Sequence, residues 1–154
     1  MKRSLSILLL FSLLLNACGK KESGCVPNPV TAERAQLIAY CSSKGITYEE
    51  HSSGLFYQVM SPGSGASPTT SSVVSVVYTG KTFDDKTFDA TANPVSFSLS
   101  SVIDGWKIGI PLIKKGGRIK LIIPSALAYS CTGSLPDIQP NEPLFFDVTV
   151  SDVR

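Results

Sequence analysis

The stretch VIDGWKIGI (102–110) is the helical candidate in the part of the chain that follows Gly54, and it contains the only tryptophan, Trp106. Ser100 or Ser101 is placed to cap such a helix. Strand-like segments lie on both sides of it. The pattern therefore predicts one short helix packed against a sheet. A tryptophan on this helix is either core or the floor of a binding site, since aromatic rings dominate both kinds of surface.

Five segments around this helix have the apolar alternation or the β-branched content of strands. They are 55–60, 73–80, 95–100, 118–124 and 144–150. In three of them the apolar side chains share one face: Val95, Phe97 and Leu99; Ile119, Leu121 and Ile123; Leu144, Phe146, Val148 and Val150. Such alternation is typical of an antiparallel sheet with one solvated face. The predicted fold class is α+β, with the short helix covering the apolar face.

The first 18 residues, MKRSLSILLLFSLLLNAC, read as a secretory signal. A basic start precedes an apolar run over residues 5–15, which is shorter than the roughly 20 residues that span a bilayer. The last four residues, LNAC (15–18), resemble the bacterial lipobox. This resemblance implies cleavage after residue 17 and acylation of Cys18, so we expect a lipoprotein of the cell envelope. Gly19 after the cysteine favours the outer membrane if the organism is Gram-negative.

Charge and cysteine content limit the classes of function. Removal of Lys2 and Arg3 with the signal leaves 12 basic against 12 acidic residues, so a nucleic-acid partner is not expected. Once Cys18 carries lipid, Cys25, Cys41 and Cys131 remain, and in an oxidising envelope any two of them can pair. The cysteine spacings fit no zinc site. His51, the only histidine, lies in a polar stretch and is interpreted as a solvated linker residue.

Residues 18–53 are expected to hold a lipid-anchored tether and a short helix, and residues 54–154 the main domain. The tether, 19–30, contains prolines, glycines and clustered charge. Thr31 can cap the helix, Glu33 suits its first turn, and Lys44-Gly45 ends it. Its expected apolar stripe is Ala35, Leu37, Ile38 and Cys41. This helix packs on the main domain by default, or else on a second copy of the chain.

VVYTG, FDA, VIDGW, IIPSALAYS and LFFDV follow one another over residues 54–153 in an order that resembles FKBP-type peptidyl-prolyl isomerases. The resemblance implies an antiparallel sheet of five to six strands wrapped around one short helix. It also implies cis/trans isomerisation of X-Pro bonds in envelope or secreted proteins, assisting their folding. Proline-containing polypeptides would be the substrates, and macrolide inhibitors of the tacrolimus type would be ligands.

The same resemblance assigns roles residue by residue. The implied catalytic set is Tyr78, Asp89, Ile103 and Tyr129, and the implied substrate-binding set is Phe88, Phe97, Val102, Trp106, Ile138 and Phe146. Trp106 would be the floor under the proline ring. The Ile103 backbone N–H would donate to a substrate carbonyl, and the Tyr129 hydroxyl would bond the bound peptide. Asp89 would orient the Tyr78 hydroxyl.

The chemistry of the reaction fits this set without a nucleophile, metal or cofactor. An X-Pro bond isomerises over a barrier of about 18–20 kcal/mol because of amide resonance. An apolar cleft disfavours the charge-separated resonance form, and a few fixed hydrogen bonds can favour the twisted imide over the planar one.

Three departures from the family pattern lie near the expected cavity. Ser130 replaces the usual glycine after the flap tyrosine, Asp85 replaces a turn glycine, and DIQP (137–140) replaces a more apolar segment. Serine would be strained if its position requires a positive φ. A disulfide from Cys131 to Cys25 or Cys41 would rigidify the flap. Ser130 and DIQP favour an alternative in which the chain is a non-catalytic proline-binding chaperone or scaffold.

Overall fold

Six strands form one antiparallel sheet in the computed structural model, which describes residues 24–154. The strands are β1 (Glu49–Glu50), β2 (Phe56–Ser61), β3 (Val73–Thr82), β4 (Thr87–Ser98), β5 (Arg118–Ile123) and β6 (Leu144–Val153). Their order across the sheet is β1-β2-β5-β6-β3-β4. The helices are α1 (Arg34–Ser43) and α2 (Asp104–Gly109). The expected signal peptide, residues 1–17, and the expected lipidation site, Cys18, lie outside the described residues.

Helix α2 packs on the concave apolar face, as the alternation predicts. The face is built from inward residues of β5 and β6, among them Leu121, Ile123 and Val148, which are fully buried. Trp106 and Ile110 of the α2 region pack in the same core. Gly105 and Gly109 permit this approach, since a Cβ on either would lie 2.5 Å or less from Ile123 or Leu121 side-chain atoms. The predicted α+β fold, an antiparallel sheet with one short helix on its apolar face, is confirmed.

The face expected to be solvated is partly covered by α1. Leu37, Tyr40 and Cys41 are buried there against Phe56 of β2 and Ile122 of β5. Successive strand residues point to opposite faces, so Ile122 lies under α1 while its neighbours face α2. The default expectation that this helix packs on the main domain is therefore confirmed.

Several local predictions for α1 were wrong. Thr31 is not an N-cap: it lies inside a 3-10 turn, Val30–Glu33, that begins after Pro29 and precedes the helix. Ala35 is exposed, and Tyr40 takes the buried position because its ring stacks on Phe83 with centroids 4.1 Å apart. Glu33, expected in the first turn of the helix, is the residue that precedes it, and it is buried, at 4% exposure.

Two predictions near α2 also differ. Ser100 and Ser101 do not cap α2, because Leu99–Ser101 forms a separate 3-10 turn and the helix begins after Ile103. Val95 is 41% exposed instead of facing the core. It pairs in register with the buried Val76 of β3, but β4 lies at the edge of the sheet that residues 24–154 form, so Val95 stays accessible.

The chain ahead of Gly54 is joined to the sheet. Strand β1 pairs with β2, so the sheet begins at Glu49. The segment expected to be a free tether is attached from Cys25 onward, because Cys25 and Cys131 form a disulfide. Among residues 24–154 no helix has the length and apolar character that crossing a bilayer requires.

Candidate active site

A cavity of about 400 Å³ opens between α2, the β3–β4 strand pair and the loop that follows β5. Its lining residues are Tyr78, Phe88, Asp89, Phe97, Ser101, Val102, Ile103, Trp106, Tyr129 and Phe146. Nine of these ten belong to the set predicted from the sequence. Aromatic walls with a few polar groups are typical of small-ligand and peptide sites.

Trp106 forms the floor of the cavity and is 4% exposed. Three rings meet it edge to face: Tyr78 at 5.2 Å, Phe146 at 5.3 Å and Phe97 at 5.7 Å between centroids. Edge-to-face pairs of this kind add about 0.5–1.5 kcal/mol each beyond their buried area. The Trp106 Nε1 donor is buried and has no hydrogen-bond partner among the described residues. The indole is thus fixed by its neighbours, with one polar donor left unpaired.

The polar side of the cavity is a hydrogen-bonded pair on adjacent strands. Tyr78 of β3 donates its hydroxyl to Asp89 Oδ2 of β4 over 2.5 Å. Burial raises the pKa of Tyr78 above its ordinary value of 10.0, and the Asp89 carboxylate raises it further. The phenol therefore stays protonated, and remains a donor, through neutral and mildly alkaline pH.

Ile103 lies at the entry to α2 with extended backbone, φ −61° and ψ 151°. Its carbonyl accepts the N–H groups of Trp106 and Lys107 at 3.0 and 3.2 Å. As the residue that precedes the helix, it keeps its own N–H outside the helical hydrogen bonds. Ile103 lines the same cavity as Trp106, with a backbone donor that the helix does not use.

Tyr129 comes from the loop after β5, here called the flap and defined as residues 125–141. It is half-buried and lines the cavity opposite α2. Burial raises the pKa of its hydroxyl, and the charge of Asp89 adds to this rise. Ser130 follows with φ 54° and Asp85 has φ 69°, so both residues occupy the left-handed region where glycine is the usual choice.

Ile138 was predicted to contact substrate, but the structure places it in the core. It is 3% exposed and is not among the residues that line the cavity. Reciprocal backbone hydrogen bonds between Ser134 and Ile138, of 2.8 and 2.9 Å, fold this part of the flap inward. Ser101 lines the cavity and was missed as a site residue, since one serine in a polar run carries no sequence signal.

The flap is covalently joined to the N-terminal part of the domain. Of the two partners that the sequence allows for Cys131, the structure has Cys25, with the Cα atoms 5.4 Å apart. Cys41, on the face of α1 that packs on the sheet, is a buried free thiol, and its burial raises its pKa to about 11. His51 lies in the turn before β2, where its Nδ1 is 2.9 Å from Ser53 Oγ, and it does not line the cavity.

The arrangement offers an aromatic floor with a few polar groups around it. The polar side chains that line it are two phenols, one carboxylate and one serine hydroxyl. In the part of the chain that the structure describes, no group of three or more His, Cys, Asp and Glu side chains is placed to hold a metal ion. A group with restricted rotation can be held here by shape and hydrogen bonds, without any covalent step.

Comparison with known proteins gives a consistent family. Residues 65–151, more than half of the chain, match the family described as FKBP-type peptidyl-prolyl cis-trans isomerase. The isomerase FkpA of Escherichia coli (strain K12) is 45% identical over 118 residues, which are 75% of this chain and 43% of that protein. A probable FKBP-type isomerase of Haemophilus influenzae is 41% identical over 115 residues, 73% of this chain and 48% of that protein. The chain thus spans less than half the length of these relatives.

Solved structures agree with the same fold. The crystal structure of FkpA from Escherichia coli superposes with a TM-score of 0.72 at 41% identity, covering 81% of this chain and 61% of that chain. An isomerase from Pseudomonas syringae pv. tomato superposes with a TM-score of 0.70 at 29% identity, covering 83% of this chain and 98% of that chain.

Proposed function

Because the chain belongs to the FKBP-type peptidyl-prolyl cis-trans isomerases, we propose that it catalyses the cis/trans interconversion of X-Pro peptide bonds. The observation that carries this proposal is the ring of aromatic side chains around Trp106, closed on its polar side by the Tyr78–Asp89 hydrogen bond. The aromatic side chains provide an apolar surface on which a proline ring can lie, and the hydrogen-bonded pair provides fixed polar groups beside the adjoining amides.

In the proposed mechanism, the proline ring lies on Trp106 with the X-Pro imide among the surrounding aromatic walls. The planar imide owes its rigidity to charge-separated resonance, which an apolar surrounding disfavours. The Ile103 N–H donates to a substrate carbonyl and the Tyr129 hydroxyl to the bound peptide. These bonds lower the barrier only to the extent that they are stronger in the twisted transition state than in either planar isomer.

Asp89 acts on substrate through the Tyr78 hydroxyl that it orients. Its carboxylate accepts from Tyr78, which fixes the direction of the phenol and keeps it protonated. Both phenols of the cavity have raised pKa values because they are buried. Isomerisation should therefore be insensitive to pH between about 6 and 9, where an ordinary tyrosine with a pKa of about 10 is also protonated.

The proposed substrates are proline-containing polypeptides, and the proposed setting is protein folding in the cell envelope. The cavity, of about 400 Å³, is far smaller than a polypeptide client, so recognition of a whole client must involve the surfaces around it. The disulfide between Cys25 and Cys131 is consistent with an oxidising compartment.

Membrane attachment through Cys18 is a further part of this proposal, carried by LNAC (15–18). Several acyl chains together make a stable anchor, with about 0.8 kcal/mol contributed per buried methylene. The full chain, expressed in bacteria fed an alkyne fatty acid, should become labelled and sediment with membranes. Cys18→Ser should do neither. A wild-type protein that stays unlabelled and unsedimented would contradict the anchor and leave the isomerase proposal unaffected.

Macrolides of the tacrolimus type are proposed as ligands of the same cavity. Trp106 is the only tryptophan in the chain, so its fluorescence reports directly on the cavity floor. Saturable quenching by tacrolimus, with matching inhibition of isomerisation, is the expected result. Unchanged fluorescence together with unchanged activity would contradict macrolide binding.

The isomerase proposal is tested by the rate at which the purified protein isomerises an X-Pro tetrapeptide. Wild type should accelerate the reaction, and Asp89→Ala and Tyr129→Phe should each be slower while retaining the wild-type far-ultraviolet spectrum. The alternative is a proline-binding chaperone or scaffold without turnover, favoured by the positive φ of Ser130 beside Tyr129. A folded wild type that binds the peptide and leaves its isomerisation rate unchanged would establish that alternative.

A further inference from the structure

Glu33 is a buried carboxylate that the cavity chemistry does not use. It ends the 3-10 turn before α1 and is 4% exposed. Its Oε2 accepts the Ser125 backbone N–H at 2.7 Å. Its Oε1 accepts the Ser125 hydroxyl at 2.5 Å and the Asn28 side-chain amide at 3.1 Å. A carboxylate taken out of water is retained only where donors compensate it, and Glu33 has three.

Ser125 is the first residue of the flap and is fully buried. It follows Pro124 at the end of β5 and opens the 3-10 turn Ser125–Leu127, which leads directly to Tyr129. Its carbonyl accepts the Ala128 N–H at 2.9 Å. Glu33 thus fixes Ser125, the residue at which the chain leaves the sheet and continues toward Tyr129. The two bonded residues are 92 positions apart in the sequence.

Two more contacts hold the flap on the other side of Tyr129. Cys131, two positions later, is bonded to Cys25. The Asn28 backbone N–H donates to Asn141 Oδ1 at 3.2 Å, and the Asn141 N–H in turn donates to the Ser130 carbonyl at 2.8 Å. Residues 25–33, here called the N-terminal brace, therefore contact the flap both before and after Tyr129.

We propose that the N-terminal brace, with Glu33 as its central positioning residue, fixes the Tyr129 loop over the cavity and sets the catalytic efficiency of the isomerase. This inference rests on the proposed isomerase function and deepens it. The brace lies outside residues 65–151, the part that matches the family model. Glu33 touches no substrate; it acts through Ser125 and the loop.

The main test compares Glu33→Gln with Leu37→Ala in the purified protein. The glutamine keeps the shape but replaces one acceptor oxygen by a donor, so at least one of the three donors loses its partner. Leu37 lies one turn further along, on α1, and is 1% exposed. It packs on the face of the sheet opposite to α2, so its truncation should lower stability without removing a flap contact. Both variants are assayed at a temperature where each is folded.

Glu33→Gln should lower kcat/KM for an X-Pro tetrapeptide by about tenfold, the size expected for losing a hydrogen bond to a charged group. Leu37→Ala should stay within about twofold of wild type, although it has the lower melting temperature. Ser125→Ala in the Glu33→Gln background should add less than its effect in wild type, because the two substitutions remove the same contact. Wild-type efficiency in Glu33→Gln, or equal losses in both variants, would overturn the proposal.

Hydrogen exchange separates failure of the brace from failure of the isomerase function. Amides in residues 126–134 should exchange faster in Glu33→Gln than in Leu37→Ala, whether or not the protein turns over substrate. An inactive wild type would reject the isomerase proposal. The exchange pattern would then still show whether the brace holds the Tyr129 loop in place. If Glu33→Gln does not fold, Cys25→Ser provides the same comparison, because it releases the flap on the other side of Tyr129, at Cys131. Unchanged flap exchange in Cys25→Ser would overturn the proposal.

Discussion

Tyr78 and Asp89 lie on adjacent antiparallel strands, and the tyrosine hydroxyl donates to the aspartate Oδ2 over 2.5 Å. Asp89 pairs in register with Gly80, two residues beyond Tyr78 on β3. The contact is therefore diagonal across the strand pair and lies on the cavity side. Tyr78 in turn meets Trp106 edge to face, so the carboxylate, the phenol and the cavity floor form one connected unit.

Removing the side-chain group of either Tyr78 or Asp89 should reduce activity, and the two effects should not be additive. Tyr78→Phe and Asp89→Ala should each lower kcat/KM by about tenfold, because either change removes a hydrogen bond to a charged group worth about 1.5–3 kcal/mol. The double variant should lose less than the product of the two effects, since both remove one interaction. Tyr57→Phe is the matched control, because its hydroxyl bonds Glu49 at the surface at 3.0 Å. Full additivity would show that the pair does not act as a unit.

The covered face of the sheet predicts alkaline sensitivity. Burial raises the pKa of Cys41 from 9.0 to about 11 and that of Tyr40 from 10.0 to about 12. A raised pKa means that the folded state holds its proton more tightly than the unfolded state. This stabilisation is complete below pH 9 and is lost as the pH rises through 11 and 12, by at most about 1.4 kcal/mol per pH unit for each group.

Urea unfolding between pH 8 and 12 measures this loss. Tyr40→Phe retains the ring that stacks on Phe83 but removes the hydroxyl, so its free energy of unfolding should fall less steeply above pH 10 than that of wild type. Parallel curves for the two proteins would contradict the assignment.

The Cys25–Cys131 disulfide predicts the number of reactive thiols and a loss of stability when it is removed. Denatured wild-type protein should show two fewer reactive thiols without reductant than after reduction. Cys25→Ser should lower the free energy of unfolding by about 2–4 kcal/mol, because it releases the constraint on the unfolded chain. Equal thiol counts with and without reductant would exclude the Cys25–Cys131 bond.

Gly80 sets the spacing of two cavity rings. A Cβ at this position would lie 2.7 Å from both Phe88 and Phe146 ring atoms, so Gly80→Ala must displace the rings. We expect a loss of about 1–3 kcal/mol in stability from the overpacking, with a raised KM for the X-Pro peptide. Gly24→Ala is the control, since a methyl group added there would have no atom of residues 24–154 within 4 Å beyond its chain neighbours. An unchanged KM in Gly80→Ala would show that the rings do not define the substrate site.

Sequence patterns predicted the parts of the fold that depend on local alternation. Leu144, Phe146, Val148 and Val150 face the core as their spacing requires, and α2 covers that face. The cavity residues were found through motif order, because an aromatic residue in a strand looks the same whether it lines a cavity or fills a core. Val95 shows the limit: it is exposed because β4 lies at the edge of the sheet, and the order of strands has no local signal.

The positions that sequence reading missed depend on distant contacts. Glu33 looks like an ordinary first-turn acidic residue, and only folding brings Ser125 to it. Ile138 appeared as a border of the cavity, but the Ser134–Ile138 hydrogen bonds turn it into the core. Cys131 had two eligible partners, and the packing of the N-terminal brace on the flap selects Cys25.

The central claim is that the cavity turns over X-Pro bonds instead of only holding them. Exchange NMR on a proline peptide with separate cis and trans signals measures this at equilibrium, with a small amount of wild-type protein and with Asp89→Ala as the reference. We expect wild type to produce cis–trans exchange cross-peaks that weaken in the variant. Chemical-shift changes that saturate with wild type, without any exchange cross-peak, would contradict the claim and identify a protein that binds proline without isomerising it.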